Sequence, residues 1–446
     1  MTDLALMQAS GPDAVVARYG GTPIRLGRFL ADVEGVRASL PDRRQVLNLC
    51  KNRYRFTVVF CAAVLRDQVN LLPPTVTPVV IDQIRRAFPD AYGIEDEPGD
   101  EVAMGAFAPA VLRYDDLCVD AAEPAEVPVI PGSREAAVVF TSGSTGMPTP
   151  SPKSWGSLAG SAATLAESFG LKGSGMTLLA TVPPQHMYGI EASVFLPLQG
   201  LVLHSGRPFF PFDICAELAA MPRPRGLVTT PLHLAALLGG MNEFPALDFV
   251  LSSTAPLAPT LAIEAEKRLG APLHEIYGCT EAGHVATRRP AVSPDWILSA
   301  GLVLRQASDG TFVSGGHVSE EVTLQDMLEV VDERRFRLLG RSADLVNIAG
   351  KRTSLAYLDH HLKSIGGVAD GAFLLRESRE GGLERLTAFA VAPGMHSREL
   401  MRELRQRIDA AFLPRPLVLV DSLPRNDTGK LPRGALEALA ARFAAE

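Results

Sequence analysis

The stretch FTSGSTGMPTPSPKSW, residues 140–155, is polar and free of acidic groups, yet it follows the apolar run AAVVF at 136–140. After it comes SWGSLAGSAATLAESF, a segment compatible with a helix. Strand, small-residue loop and helix in succession are the signature of an α/β layer. In such sheets, ligands collect where strands give way to loops at their carboxyl ends. Glycines let backbone N–H groups converge on an anion, and serine and threonine hydroxyls add donors without adding charge. The loop therefore reads as a phosphate cradle, with a plain Ser/Gly turn as the alternative. It is not the common P-loop, because G-x-x-x-x-G-K-[ST] fails: Pro152, not glycine, precedes Lys153.

The same alternation extends along the chain. Strand-length apolar runs (QVLNL, TLLATV, GLVTT, DFVLSS) are separated by helix-compatible segments such as APTLAIEAEKRL, so the main body is predicted to be α/β with mostly parallel sheets. At 446 residues the chain is expected to form a large domain and a small one. The pattern changes near FRLLGRSADLVNIAGKR, at 336–352, and beyond it SRELMRELRQRIDAAF, at 397–412, is predicted to be a helix with Leu400, Leu404 and Ile408 inward and Arg398, Arg402 and Arg405 on another face. This gives a predicted N-terminal domain over 1–340 and a smaller α+β domain over 341–446. A composition of 47% hydrophobic and 21% charged residues is that of a globular protein. A net charge of −7 argues against broad nucleic-acid or membrane-surface binding. The five cysteines, Cys50, Cys61, Cys118, Cys215 and Cys279, never form a C-x-x-C pair, which suits a reducing cytosol and offers no zinc or disulfide pattern. No signal peptide and no membrane span is read, and a cytoplasmic location is expected.

Three further loops carry chemistry. In YGCTE, 277–281, a tyrosine offers a flat face to a purine, a threonine can bond a phosphate and a glutamate can hold Mg²⁺; the alternative is a structured turn. Cys279 with His284 could be read as a thiol nucleophile and its base, but no third group to orient the histidine is evident nearby. GRSADLVNIAGKR pairs an arginine and an aspartate on a short turn with Gly-Lys-Arg, and is otherwise a charged interdomain hairpin. PRNDTGKLPR offers a lysine after a glycine in a proline-bounded turn, and is otherwise a solvated basic loop.

Taken in this order, TSGSTG, YGCTE and PRNDTGK make the chain resemble the adenylate-forming superfamily of acyl-CoA synthetases, aryl-acid ligases, luciferases and peptide-synthetase adenylation domains. The likeness covers roughly its last two-thirds. The fold it implies is a large domain of layered sheets and helices with a small mobile lid. Thr141, Ser142, Gly143, Ser144, Thr145 and Gly146 then correspond to the loop around the β- and γ-phosphates of ATP. Ser253, Thr254, Ala255 and Pro256 fall beside adenine. Tyr277, followed by Gly278, corresponds to the residue that stacks on adenine, Thr280 to the one that reaches the α-phosphate, and Glu281 to the Mg²⁺ ligand. Asp326 and Arg341 match the pair that grips the ribose, and Lys430 the mobile lysine that catalyses adenylation. Gly350, in NIAGKR, is implied to let pantetheine approach the backbone.

Three departures stand out. The loop's lysine usually follows its proline directly, whereas here Met147-Pro148 leads to Lys153 several residues later. The usual Thr-Gly-Asp has become Leu324-Gln325-Asp326. The hinge position, often aspartate or lysine, is Ala343. The short chain, with its GMPTPSPKSW and PPQHMYGIEAS segments, resembles the acyl-carrier-loading ligases of bacterial aryl-polyene pigment clusters.

The implied reaction joins a carboxylic acid to a thiol through acyl-AMP, with AMP and pyrophosphate as products. A carboxylate needs no base at neutral pH, so charge neutralisation and in-line placement are the requirements. PPQHMYGIEASVFLPLQG is similar to the family's acyl-pocket segment and places His186, Met187, Tyr188 and Gly189 at the acid. Tyr188 stands where amino-acid-activating relatives carry an aspartate, which favours a flat or apolar acid over an amino acid: an aromatic one, hydroxybenzoate- or cinnamate-like, or a fatty one. The thiol is expected on an acyl carrier protein, with free coenzyme A as the alternative. A catalytically silent nucleotide-binding module is the remoter reading, and Glu281, Asp326 and Lys430 together argue against it. A kinase or ATPase would need motifs that the sequence lacks.

Overall fold

The run ahead of the small-residue loop lies inside a sheet. The computed structural model describes residues 2–73, 76–97, 111–117, 121–142, 148–307, 310–341, 345–348, 351–376, 385–408, 410–426 and 429–443. Within them, the Glu135–Ser142 strand pairs in parallel with Val69–Leu72, which continues to Gln45–Asn48, Tyr92–Glu95 and Val111–Arg113, all parallel. Its other neighbour, Pro148–Ser154, is antiparallel and completes a six-stranded sheet; residues 143–147 join the two. Residues 136–140 are buried on both faces, as a near-continuous apolar run in a covered sheet should be.

A second sheet is parallel at its centre. Phe249–Ser252 lies between Arg225–Thr229 and Leu273–Cys279, and Thr177–Ala180 and Val202–His204 extend the sheet on the Arg225–Thr229 side. Leu273–Cys279 then turns back into the antiparallel Gly283–Arg288. Two helices set the spacing of the main body. Arg53–Leu65 is apolar all round and almost wholly buried, which marks a core helix; the Asn52 side chain accepts from the N–H groups of Tyr54 and Arg55 to start it. Trp155–Ser168 begins where Ser154 Oγ accepts from Ser157 N–H, and it buries Trp155, Leu158, Ala162 and Leu165 on one face.

The chain divides into two compact units. One comprises residues 1–303 with 313–322, the other 304–312 with 323–446. The smaller unit is α+β. Its Asp370–Arg376 and Arg385–Val391 strands are antiparallel, Leu417–Leu419 adds in parallel, and the helices Leu355–Lys363 and Ser397–Leu404 cover the sheet through Leu358, Leu362, Leu400 and Leu404. The helix predicted over SRELMRELRQRIDAAF stops at Leu404. Beyond it the N–H groups of Gln406 and Arg407 bond three residues back, the tighter turn that closes a helix, although Ile408 is still buried.

Candidate active site

Tyr277 to Glu281 fold as the end of one strand and the tip of a hairpin. Thr280, Glu281 and Ala282 make the turn, and Gly283 starts the returning strand at φ +75°. Tyr277 is buried with its ring 5.7 Å from Trp296. Gly278 has no room for a side chain, since a Cβ there would lie 2.2 Å from the Gly283 carbonyl oxygen. Thr280 is half-buried and Glu281 exposed. One short hairpin thus presents a fixed aromatic ring, a hydroxyl and a carboxylate.

Lys153 has a place that the sequence did not indicate. It sits on the Pro148–Ser154 strand, is buried, and its Nζ donates to the Glu281 carbonyl oxygen at 2.6 Å. It braces the hairpin tip from beneath instead of belonging to the preceding small-residue loop. Burial lowers its pKa, and the Glu191 carboxylate offsets part of that shift. Of the predicted loop itself, Thr141 and Ser142 end the Glu135–Ser142 strand, opposite Thr149 and Pro148. Gly143, Ser144, Thr145 and Gly146 lie outside the described residues, as do Ala343 and Gly350.

Ser253, Thr254, Ala255 and Pro256 follow the Phe249–Ser252 strand. Ser253 Oγ donates to the Ile276 carbonyl, which ties this segment to the strand carrying Tyr277. Thr254 has φ +82°, an uncommon conformation for a β-branched residue, and among the described residues its buried Oγ1 has no partner. Thr254 therefore combines backbone strain with a buried, unsatisfied hydroxyl.

In the smaller unit, Asp326 and Arg341 stand directly opposite each other on the antiparallel strands Asp326–Val330 and Arg335–Arg341. The two predicted ribose ligands therefore share one sheet position. Lys430 is exposed, and its loop is braced: Arg425 reaches Asp370 through Nε at 2.7 Å and Nη2 at 2.8 Å and donates to the Gly429 carbonyl at 2.9 Å, while Asn426 Oδ1 accepts from Lys430 N–H.

The predicted acid segment is helical. Met187–Ile190 runs into a π-helical turn, Glu191–Phe195, and then a 3₁₀ turn, Pro197–Gln199. His186 and Met187 are half-buried; Tyr188 is buried and its hydroxyl donates to the Leu251 carbonyl at 2.9 Å. Gly189 packs on the Pro183 carbonyl so closely that a Cβ would lie 1.8 Å from its oxygen. The wholly buried Arg53 donates to Ser193 Oγ and to the carbonyls of Ala180 and Val182, so it pins this turn to the neighbouring strand end. Burial lowers the Arg53 pKa to about 9.

The thiol dyad finds no support. Burial pushes the Cys279 thiol up to about 11, and His284 Nδ1 faces Ser161 at 2.7 Å. Sequence reasoning overlooked Arg53, Ser161, Glu191 and His317. Glu191 carried a usable signal: a lone carboxylate inside an apolar run has to find partners if that run is buried. Among the described residues no group of three or more His, Cys, Asp or Glu could hold a metal.

Residues 35–308 match the model of the AMP-binding enzyme family. The chain belongs to that family. It is similar to 4-coumarate–CoA ligase of Rhodobacter capsulatus, 29% identical over 344 residues (76% of this chain, 83% of the relative), and to that of Halorhodospira halophila, 32% identical over 306 residues (65% and 73%). Among solved structures, o-succinylbenzoate CoA synthetase of Bacillus subtilis in complex with its acyl-adenylate intermediate superposes with a TM-score of 0.83 at 19% identity, covering 98% of this chain and 99% of that one. This chain is an AMP-forming acid–thiol ligase with the α/β fold of adenylate-forming enzymes. No helix among its described residues is long and apolar enough to cross a membrane.

Proposed function

We propose that this enzyme activates an aromatic carboxylic acid as its acyl-adenylate and passes the acyl group to a phosphopantetheine thiol. A carboxylate oxygen attacks the α-phosphorus of ATP; the new O–P bond forms as the bond to pyrophosphate breaks. The thiol then adds to the acyl carbonyl, a C–S bond replaces the C–O bond to AMP, and the thiol proton leaves to solvent. The first step turns on neutralising charge and aligning the attack.

The observation that carries this reading is the hairpin. Its buried Tyr277, half-buried Thr280 and exposed Glu281 meet the three needs of a bound nucleotide on one turn, and Lys153 holds that turn from below. Tyr277 and Gly278 would take adenine with Ser253, Thr254, Ala255 and Pro256. Thr280 would bond the α-phosphate, and Asp326 and Arg341 the ribose. Thr141 to Gly146 would surround the outer phosphates, and Lys430 would stabilise charge during adenylation. Bound magnesium supplies further neutralisation of phosphate charge, and Glu281 would hold it. The family's boundary near Arg341 and a thiol path at Gly350 belong to the same proposal.

An aromatic acid is favoured by the half-buried Met187 and buried Tyr188 and by the relatives named 4-coumarate–CoA ligase. His186 and Gly189 complete that segment. For the thiol, a carrier protein is supported by exposed arginines on the smaller unit, whereas the relatives' names favour free coenzyme A. ATP–pyrophosphate exchange over aromatic, fatty and amino acids tests the reading: magnesium-dependent exchange is expected with aromatic acids. Release of ADP, or exchange confined to amino acids, would overturn it.

A further inference from the structure

Under the hairpin tip, Lys153, Ser161, Glu191, His284 and His317 converge from five separate segments, each more than nine-tenths buried. Their hydrogen bonds fix where the protons sit. Glu191 Oε1 accepts the backbone N–H of His284 at 3.2 Å, so it is an acceptor, and the single hydroxyl proton of Ser161 goes to it. With its proton committed, Ser161 Oγ can only accept from His284, 2.7 Å away, and His284 is therefore the Nδ1–H tautomer. Its Nε2 carries a bare lone pair. Among the described residues that atom is buried and has no partner.

His317 repeats the arrangement. Its Nε2 donates to the His284 carbonyl at 2.9 Å, which leaves Nδ1 as a second buried acceptor with no partner among the described residues. The two rings stack at 4.9 Å and 16°. Burial keeps both neutral, with His317 opposing charge on His284 and Lys153 opposing charge on His317; His284 is lowered to about 3. An orphaned buried acceptor is costly, and two side by side call for an explanation.

The cluster adjoins the acid segment. A Cβ on Gly283 would lie 2.7 Å from Glu191 Oε1, 3.5 Å from Ser161 Oγ and 3.5 Å from Met187 Cε. Glu191 itself directly continues the helix that holds Met187 and Tyr188. We propose that His284 Nε2 accepts a hydrogen bond from the acyl half of the substrate, so that the acid is an aromatic one bearing a ring hydroxyl or amino group. Glu191 and Ser161 act as positioning residues that hold the tautomer, and His317 offers the second acceptor beside it. This rests on the acid-activating reading above and on the placement of the acyl group along residues 186–189.

The test compares donors with isosteres that lack the donor. Wild-type enzyme is given 4-hydroxycinnamate against 4-fluorocinnamate and 3-hydroxybenzoate against 3-fluorobenzoate, in pyrophosphate exchange and, separately, in calorimetric binding. In at least one pair the hydroxyl acid should be favoured by about tenfold or more. His284→Phe should bring that ratio to about one, and Ser161→Ala, which keeps the ring but frees its tautomer, should reduce it in part. Thermal midpoints separate these effects from misfolding, and Ser161→Ala decides the matter if His284→Phe does not fold. Equal use of hydroxyl and fluoro acids by the wild type, or a ratio unmoved by both substitutions, would overturn the proposal. If no acid supports exchange, the ligase reading fails; a binding preference abolished by the substitutions would still uphold the acceptor, and its absence would refute it.

Discussion

At the scale of single residues, Lys430 and Asp326 make separable predictions. Lys430 is exposed on a loop tied down by the Arg425–Asp370 pair, so it has little part in packing, and its loss should leave the fold unchanged. Lys430→Ala should lose adenylation by about 3–4 kcal/mol, the scale of a donor that acts on transition-state charge, while thioester formation from pre-made acyl-adenylate survives. An equal fall in both half-reactions would refute the assignment. Arg425→Lys, which gives up the two-pronged contact with Asp370, should weaken adenylation less and in the same direction. Asp326→Ala should raise KM for ATP with kcat largely kept, because a ribose contact is shared by ground and transition states; the reverse pattern would place Asp326 in the chemistry. The motifs around Lys430, Asp326 and Arg341, from whose likeness to the family's their proposed roles come, were legible in the sequence. The brace behind Lys430 was not, since Arg425 meets Asp370 across 55 residues of chain. Nor was the Ser161–His284 bond, which spans 123. Local patterns record what a residue is, and only the fold records which distant groups it meets.

At the scale of elements, apolar periodicity located the strands and the Trp155–Ser168 and Pro259–Leu269 helices, because each needs one or both faces buried. It did not reveal the π turn at Glu191–Phe195: one extra residue in a turn leaves the apolar pattern nearly unchanged, yet it redirects Glu191. It overran the Ser397–Leu404 helix because Ile408 keeps both the spacing and a four-back bond to Leu404, although Gln406 and Arg407 between them bond only three residues back. Packing within the second sheet carries a pH prediction. His274 lies 4.5 Å from Phe169 and 5.5 Å from Phe249, and its pKa is pulled down to about 4, chiefly by burial and then by Arg289, with Glu266 opposing. A histidine whose folded pKa lies below its unfolded value keeps its contribution above about pH 6.5 and loses it as pH falls toward 4. The loss is at most about 3 kcal/mol, and less because the ring is partly exposed. Between pH 7 and 4.5 the thermal midpoint of His274→Phe should therefore fall less than that of the wild type. Parallel curves would show that this ring does not titrate on unfolding.

At the scale of the whole molecule, the open matter is which thiol the enzyme serves, and the arginines of the smaller unit make it testable. Leu400, Leu404 and Ile408 turn inward, as their spacing predicted, while Arg398, Arg402 and Arg405 are exposed on another face. The two acids that would neutralise such a stripe are engaged elsewhere. Glu399 accepts the backbone N–H of His396 at the helix start, and Glu403 pairs with Arg407 at 2.6 Å. On a chain of net charge −7, a cationic stripe with its acids turned away suits an acidic carrier helix, and such a surface acts mainly on the rate of encounter. Free coenzyme A, the acceptor in the names of the curated relatives, needs no protein surface of this kind. Offered acyl-adenylate with holo-carrier protein and coenzyme A at equal concentration, the enzyme should acylate the carrier first. That preference should shrink as salt rises from low to about 0.15 M, where screening falls to about 8 Å. Arg398→Glu, Arg402→Glu and Arg405→Glu together should remove it by lowering kcat/KM for the carrier while leaving transfer to coenzyme A in place. Equal or faster acylation of coenzyme A by the wild type, or a carrier preference indifferent to both salt and these substitutions, would make the stripe an ordinary solvated helix face and the enzyme a coenzyme A ligase.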